Sequence, residues 1–87
     1  MDYFSKTEFS KLPIGKRFLA LKKDGTYIAA RLKGIHSIHL FSYNNFYVEV
    51  WIVISLNQVH WIEIQENKEI VSDYAEEVDL NDLGINS

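Results

Sequence analysis

Glu49 and Glu63 are the residues of this 87-residue chain whose type and spacing come closest to chemistry. Each is a single carboxylate inside an otherwise apolar run, FYVEVWIVI and VHWIEI, and each lies two positions from a tryptophan, Trp51 and Trp61 respectively. If the two runs are neighbouring strands, the carboxylates can face each other. Two carboxylates held close raise one another's pKa, which is how such a pair becomes an acid and a base. Tryptophan faces beside them would suit a sugar ring. The plainer reading is that glutamates on an exposed sheet face keep it soluble. The chain offers no insertion from which a cleft could be built, so the expectation is a protein that is not an enzyme and has no catalytic residue.

Other chemistries find less support. His36 and His39 stand at i, i+3, but on a loop-to-strand segment, and His60 belongs to another strand. Without cysteine and without an ordered set of carboxylates, these histidines predict no metal site, and no cofactor is expected. The absence of cysteine also excludes a disulfide scaffold and thiolate chemistry. The glycines lie apart at 15, 25, 34 and 84, so no glycine-rich phosphate loop exists.

The elements that must position these residues centre on Phe46 to Ile54. All of this stretch except Glu49 is β-branched or aromatic, a composition that fits a buried pleated surface and predicts the central strand. Before it, Ser5 and Glu8 stand at capping-box spacing for a first helical turn. Pro13 fits the first turn of a second helix, whose apolar stripe is Ile14, Phe18 and Leu21 and which Asp24-Gly25 ends, with Gly25 suited to a left-handed cap. A hairpin of 17–23 with 26–32 across Asp24-Gly25 is the competing arrangement. Strands are expected over 26–33, 38–43, 46–54 and 59–65, with Gly34, Asn44-Asn45 and the polar group around Leu56 turning the chain. Asn67 can cap a closing helix with Ile70, Val71, Tyr74, Ala75 and Val78 on one face. Residues 79–87 read as a short turn and a frayed tail of what is a single domain, 1–87.

The expected fold is therefore α+β: an N-terminal helix, a four-stranded antiparallel meander sheet, and a C-terminal helix packed on one face. A small SH3- or Tudor-like barrel with a C-terminal helix is the alternative. Val48, Val50, Ile52 and Ile54 would face the helices, both of which are expected on the same side, and Tyr47, Glu49, Trp51 and Val53 would face away. A two-residue loop at Asn44-Asn45 pairs Phe41 with Val48 and Leu40 with Glu49, sending Ile38 and Leu40 to the outer face, whereas a bulge would reverse this. The outer face then carries Tyr47, Trp51 and Trp61 with Glu49 and Glu63 among them. Apolar surface of that kind marks a contact site, and the expected partner is a second copy in a homodimer, or another protein. Cover by the chain's own termini is the other possibility.

Charge is distributed unevenly about a net value of −3. Residues 1–33 hold eight of the nine basic side chains, and residues 66–87 hold seven acids with Lys68 as their one base. Mutual compensation of the two ends is the simple reading. A phosphate-binding role is disfavoured by the acidic tail and by the glutamates beside the tryptophans, so nucleic acid is not an expected partner. Charges throughout the first twenty residues fit no signal peptide, and the longest uncharged apolar run is far too short to span a bilayer, so the expected location is cytoplasmic, with no membrane partner.

The segments FYVEVW, VHWIEI and YAEEVDLNDL, in this order with a helix before them, resemble short uncharacterised bacterial proteins built as helix, meander and helix. The resemblance spans about residues 13–83, implies an α+β fold and a bacterial source, and carries no active site. A fainter likeness to Tudor-type barrels lies in Ala29-Ala30-Arg31 and Asp73-Tyr74. The Gly-Asn expected after that tyrosine is Ala75-Glu76 here.

Overall fold

The computed structural model describes residues 3–74. Its N-terminal helix α1, Lys6–Lys11, starts on the expected capping box. The Ser5 hydroxyl accepts from the Glu8 N–H at 3.1 Å, and the Glu8 carboxylate accepts from the Ser5 N–H at 2.9 Å. Helix α2, Ile14–Asp24, begins directly after Pro13. Proline is tolerated there because an N–H at a helix start has no intrahelical acceptor to lose. The hairpin alternative for 17–23 is not formed.

Gly25 follows α2 with φ −88° and so is not in the left-handed conformation expected for it. Glycine is required there by a close approach instead. A Cβ at this position would stand 2.7 Å from the Leu21 carbonyl oxygen, which accepts the Gly25 N–H.

Four antiparallel strands follow, β1 Thr26–Lys33, β2 His36–Tyr43, β3 Phe46–Val53 and β4 Gln58–Gln65, in the order β1-β2-β3-β4. The sheet is open, with β1 and β4 at its edges, so the barrel alternative is excluded. Asn44 and Asn45 both take positive φ, 46° and 68°, the pairing of conformations a two-residue hairpin turn needs. The register this imposes is the one expected: Phe41 opposite Val48 and Leu40 opposite Glu49. Bulges interrupt the outer pairings, at Ile28 in β1 and at His60 in β4.

The chain is helical again through residues 68–74, here α3, with the Asn67 side chain accepting from the Glu69 N–H at 2.9 Å as a cap. Ala75, Val78 and the expected tail lie outside the described residues.

The sheet is covered on both sides, which corrects the expectation that the helices share one. On the inner face Phe9, Ala20 and Leu21 of α1 and α2 pack on Tyr43, Phe46, Val48, Val50 and Ile62. On the outer face Tyr74, Ile70 and Val71 of α3 pack on Ala29, Ile38, Leu40 and Trp51. The cause is the register. With Ile38 and Leu40 sent outward beside Trp51, the outer face has its own apolar centre and must be sheltered from water.

Arg17 joins the helices to the β4 edge. Its guanidinium donates to the carbonyls of Leu12 at 2.9 Å, Ser10 at 2.8 Å and Ile62. One cation thus fixes the α1–α2 turn and occupies an edge-strand acceptor that could otherwise recruit a foreign strand.

Candidate functional site

The outer face places the five expected contact residues in three rows. Tyr47 pairs with Gln65, Glu49 with Glu63, and Trp51 with Trp61. Their environments differ sharply. Glu49 is completely buried, Trp51 and Glu63 are half-buried, and Tyr47 and Trp61 are 39% and 45% exposed.

Burial of Glu49 is made tolerable by a full set of donors. The Tyr74 hydroxyl donates to Oε2 at 2.6 Å, Arg31 donates to the same oxygen at 3.3 Å, and the Gln65 amide donates to Oε1 at 2.9 Å. Each donor comes from a different element: α3, β1 and β4. A buried carboxylate without partners would cost several kcal/mol, about the magnitude expected when one partner of a buried pair is removed. The arrangement therefore ties the closing helix and both edge strands to the middle of the sheet. Arg31 also lies over the Tyr74 ring, its guanidinium carbon 5.2 Å from the centroid. Burial raises the Tyr74 hydroxyl well above the ordinary tyrosine range, and the bond to Glu49 adds to the rise, because ionising the phenol would set two negative charges together.

Glu49 and Glu63 are direct neighbours in the backbone, yet their carboxylates turn apart. Glu63 accepts from the Trp61 indole N–H at 3.3 Å, while Glu49 points to Tyr74 and Arg31. The acid–base pair suggested by their spacing is not assembled. Trp61 instead sits at the β4 edge with the Arg17 guanidinium 5.2 Å from its ring centroid, and Trp61, Glu63, Arg17, Phe9 and Ser10 line a shallow groove of about 340 Å³.

A second grouping lies at the hairpin end of the sheet. Leu32, Ile35, Ile54 and Leu56 are 76%, 66%, 51% and 63% exposed, and the Ile54 N–H donates to the Ile35 carbonyl at 3.0 Å, so the two turns adjoin. Beside them His36 of β2 and His60 of β4 meet across β3. His39 is apart from both. It contacts Ser37 and Tyr27 at 3.1 and 3.2 Å, and burial lowers its pKa below the ordinary histidine value.

Spacing alone did not reveal these groupings. Arg31, Gln65 and Tyr74 converge on Glu49 only once the register and the α3 docking are known, although a lone glutamate in the most apolar strand already demanded donors from elsewhere. Ile54, expected to extend the inner row of Val48, Val50 and Ile52, instead lies in the turn after β3 ends at Val53 and is exposed, while Ile35 and Leu56 belong to no periodic pattern, which hides them from a reading based on faces.

Among the described residues no helix is long and apolar enough to cross a membrane, and no three His, Asp or Glu side chains gather closely enough to hold a metal ion. Set against protein-family models, curated proteins and solved structures, the chain matches none.

Proposed function

We propose that this chain is a small non-enzymatic interaction module that self-associates through the apolar hairpin end of its sheet. The observation that carries the reading is the exposure of Leu32 near the end of β1 and of Ile35, Ile54 and Leu56 on the two turns beside it, each more than half open to water, with the turns bridged by a backbone hydrogen bond. Aliphatic side chains gathered in this way lose apolar surface to water on contact, at about 25 cal/mol per Å² removed. A two-fold pair brings the same patch to itself, so an apolar patch needs no complementary charge on its partner.

The centre of the outer face, with Glu49 and Trp51, is occupied by the chain's own α3, so the contact is moved to the end of the sheet. Glu49 is also unavailable as an acid or base, being buried and bonded to three donors.

Light scattering over a wide concentration range, with and without Ile35→Glu, tests the proposal. The parent chain is expected to approach twice the monomer mass as concentration rises, and the variant to remain a monomer with an unchanged circular dichroism spectrum. A parent chain that stays monomeric, or a variant that assembles equally well, refutes it. Trp51→Glu is unsuited to this test because it strikes the packing beneath α3.

A second reading rests on the Trp61 groove. An exposed indole beside a carboxylate and a guanidinium fits a small polar ring such as a sugar, and binding there would change Trp61 fluorescence while leaving the mass that of a monomer.

A further inference from the structure

We propose that His36 and His60 form a binding site for a divalent transition metal of the copper or nickel kind. The two residues come from β2 and β4, with β3 between them. Their rings are parallel to within 9° with centroids 5.0 Å apart, and His36 Nε2 stands 2.8 Å from His60 Nδ1.

The approach depends on the β4 bulge. Trp51 pairs with Trp61 and Ile52 with Val59, which leaves His60 as the extra residue. In a regular strand His60 would alternate with Trp61 and turn to the inner face; as the bulged residue it is aimed back over β3 to meet His36. Re-aiming a side chain is what bulges beside functional sites do.

Ligand type and reach select the class of ion. Two imidazole nitrogens bound to one metal at about 2.0–2.1 Å stand about 2.9 Å apart when the angle between them is 90°, and about 3.3 Å apart at the tetrahedral angle. The observed 2.8 Å is the distance of the hydrogen bond between the rings, and it already brings both nitrogens within the span of two adjacent positions on one ion; imidazole nitrogen suits Cu(II) and Ni(II), which stand high in the affinity order of the divalent first-row metals. The ion takes the place of the proton between the rings: the ring that carries it passes it through solvent to its own far nitrogen, both rings stay neutral, and each turns so that its freed lone pair meets the metal.

His60 is exposed, so water can complete the coordination. With two protein ligands the site is an exchangeable one. Lys33, opposite His36 in the register and with its ammonium 5.9 Å from the Trp51 ring centroid, is a cation beside the site and opposes loading. Trp51 supplies a reporter, because its ring meets His36 edge-on at 5.3 Å between centroids. Bound Cu(II), paramagnetic in any geometry, will quench its emission, and Ni(II) binding is read by calorimetry.

The experiment is a titration of the full chain with Cu(II), and separately with Ni(II), at pH 7.5 in a buffer that does not chelate, followed by tryptophan fluorescence and by calorimetry. One ion per chain is expected, with quenching by Cu(II). His36→Gln and His60→Gln should each weaken binding by more than about tenfold, the lower end of what losing even a group that supports a metal ligand costs. His39→Gln should bind as the parent does, and Lys33→Gln more tightly. Circular dichroism checks that the variants fold, which the exposure of His60 favours. Absence of binding by the parent chain overturns the proposal and leaves the pair as a shared-proton hydrogen bond. Equal binding by parent and His60→Gln, or equal loss in His39→Gln, overturns it as well.

Discussion

Replacing Tyr74 by phenylalanine removes one oxygen from the molecule and tests the role given to Glu49. The hydroxyl donates to a completely buried carboxylate at 2.6 Å and is itself completely buried, so water cannot replace it without opening the α3 contact. A hydrogen bond to a charged group contributes about 1.5–3 kcal/mol. Arg31 remains on the same oxygen at 3.3 Å and Gln65 on the other at 2.9 Å, so the carboxylate is weakened but not orphaned. A loss of about 2 kcal/mol is expected, which in a domain of this size lowers the melting temperature by about 8–16 °C.

Urea unfolding followed by Trp51 fluorescence measures this. A cycle with Glu49→Gln isolates the pair, with an expected coupling of about 1 kcal/mol or more. A Tyr74→Phe chain within about 0.5 kcal/mol of the parent, or a cycle with no coupling, would show that α3 is held by Ile70 and Val71 packing alone.

The same group predicts an alkaline limit. Because burial and Glu49 hold the Tyr74 hydroxyl above its ordinary value of 10.0, the unfolded chain gives up this proton before the folded one does. The contribution is fully present below about pH 10 and is lost as pH rises from there towards the folded value. Stability measured across that range should fall more steeply in the parent than in Tyr74→Phe, and parallel curves would contradict the assignment. The two turn glycines should separate by cause. Gly25→Ala forces a Cβ to 2.7 Å from the Leu21 carbonyl oxygen and should cost about 1–3 kcal/mol, with Gly25→Asn no better. At Gly34 nothing lies within 4 Å but φ is +60°, so Gly34→Ala should cost about 1–2 kcal/mol and Gly34→Asn markedly less, as measured by thermal unfolding.

Local chemistry by itself determined most of the backbone. Ser5 and Glu8 start a helix because each satisfies the other's N–H, Pro13 begins the next because it has no N–H to lose, and Asn44-Asn45 turn because their side chains tolerate positive φ. These are contacts between residues a few positions apart, which composition and spacing can display. The two-residue turn also set the β2–β3 register, and with it the outward placement of Ile38 and Leu40.

What covers that outer face was decided only in three dimensions. Periodicity identifies which side of a helix is apolar but not which of two apolar sheet faces it will choose. Here the choice went with Glu49, whose buried carboxylate needed donors that α3, β1 and β4 together supply. The His60 bulge and the His36–His60 contact were hidden for the same reason. Each depends on atoms brought near by long-range packing, where a separation of 24 residues in the chain becomes 2.8 Å in space.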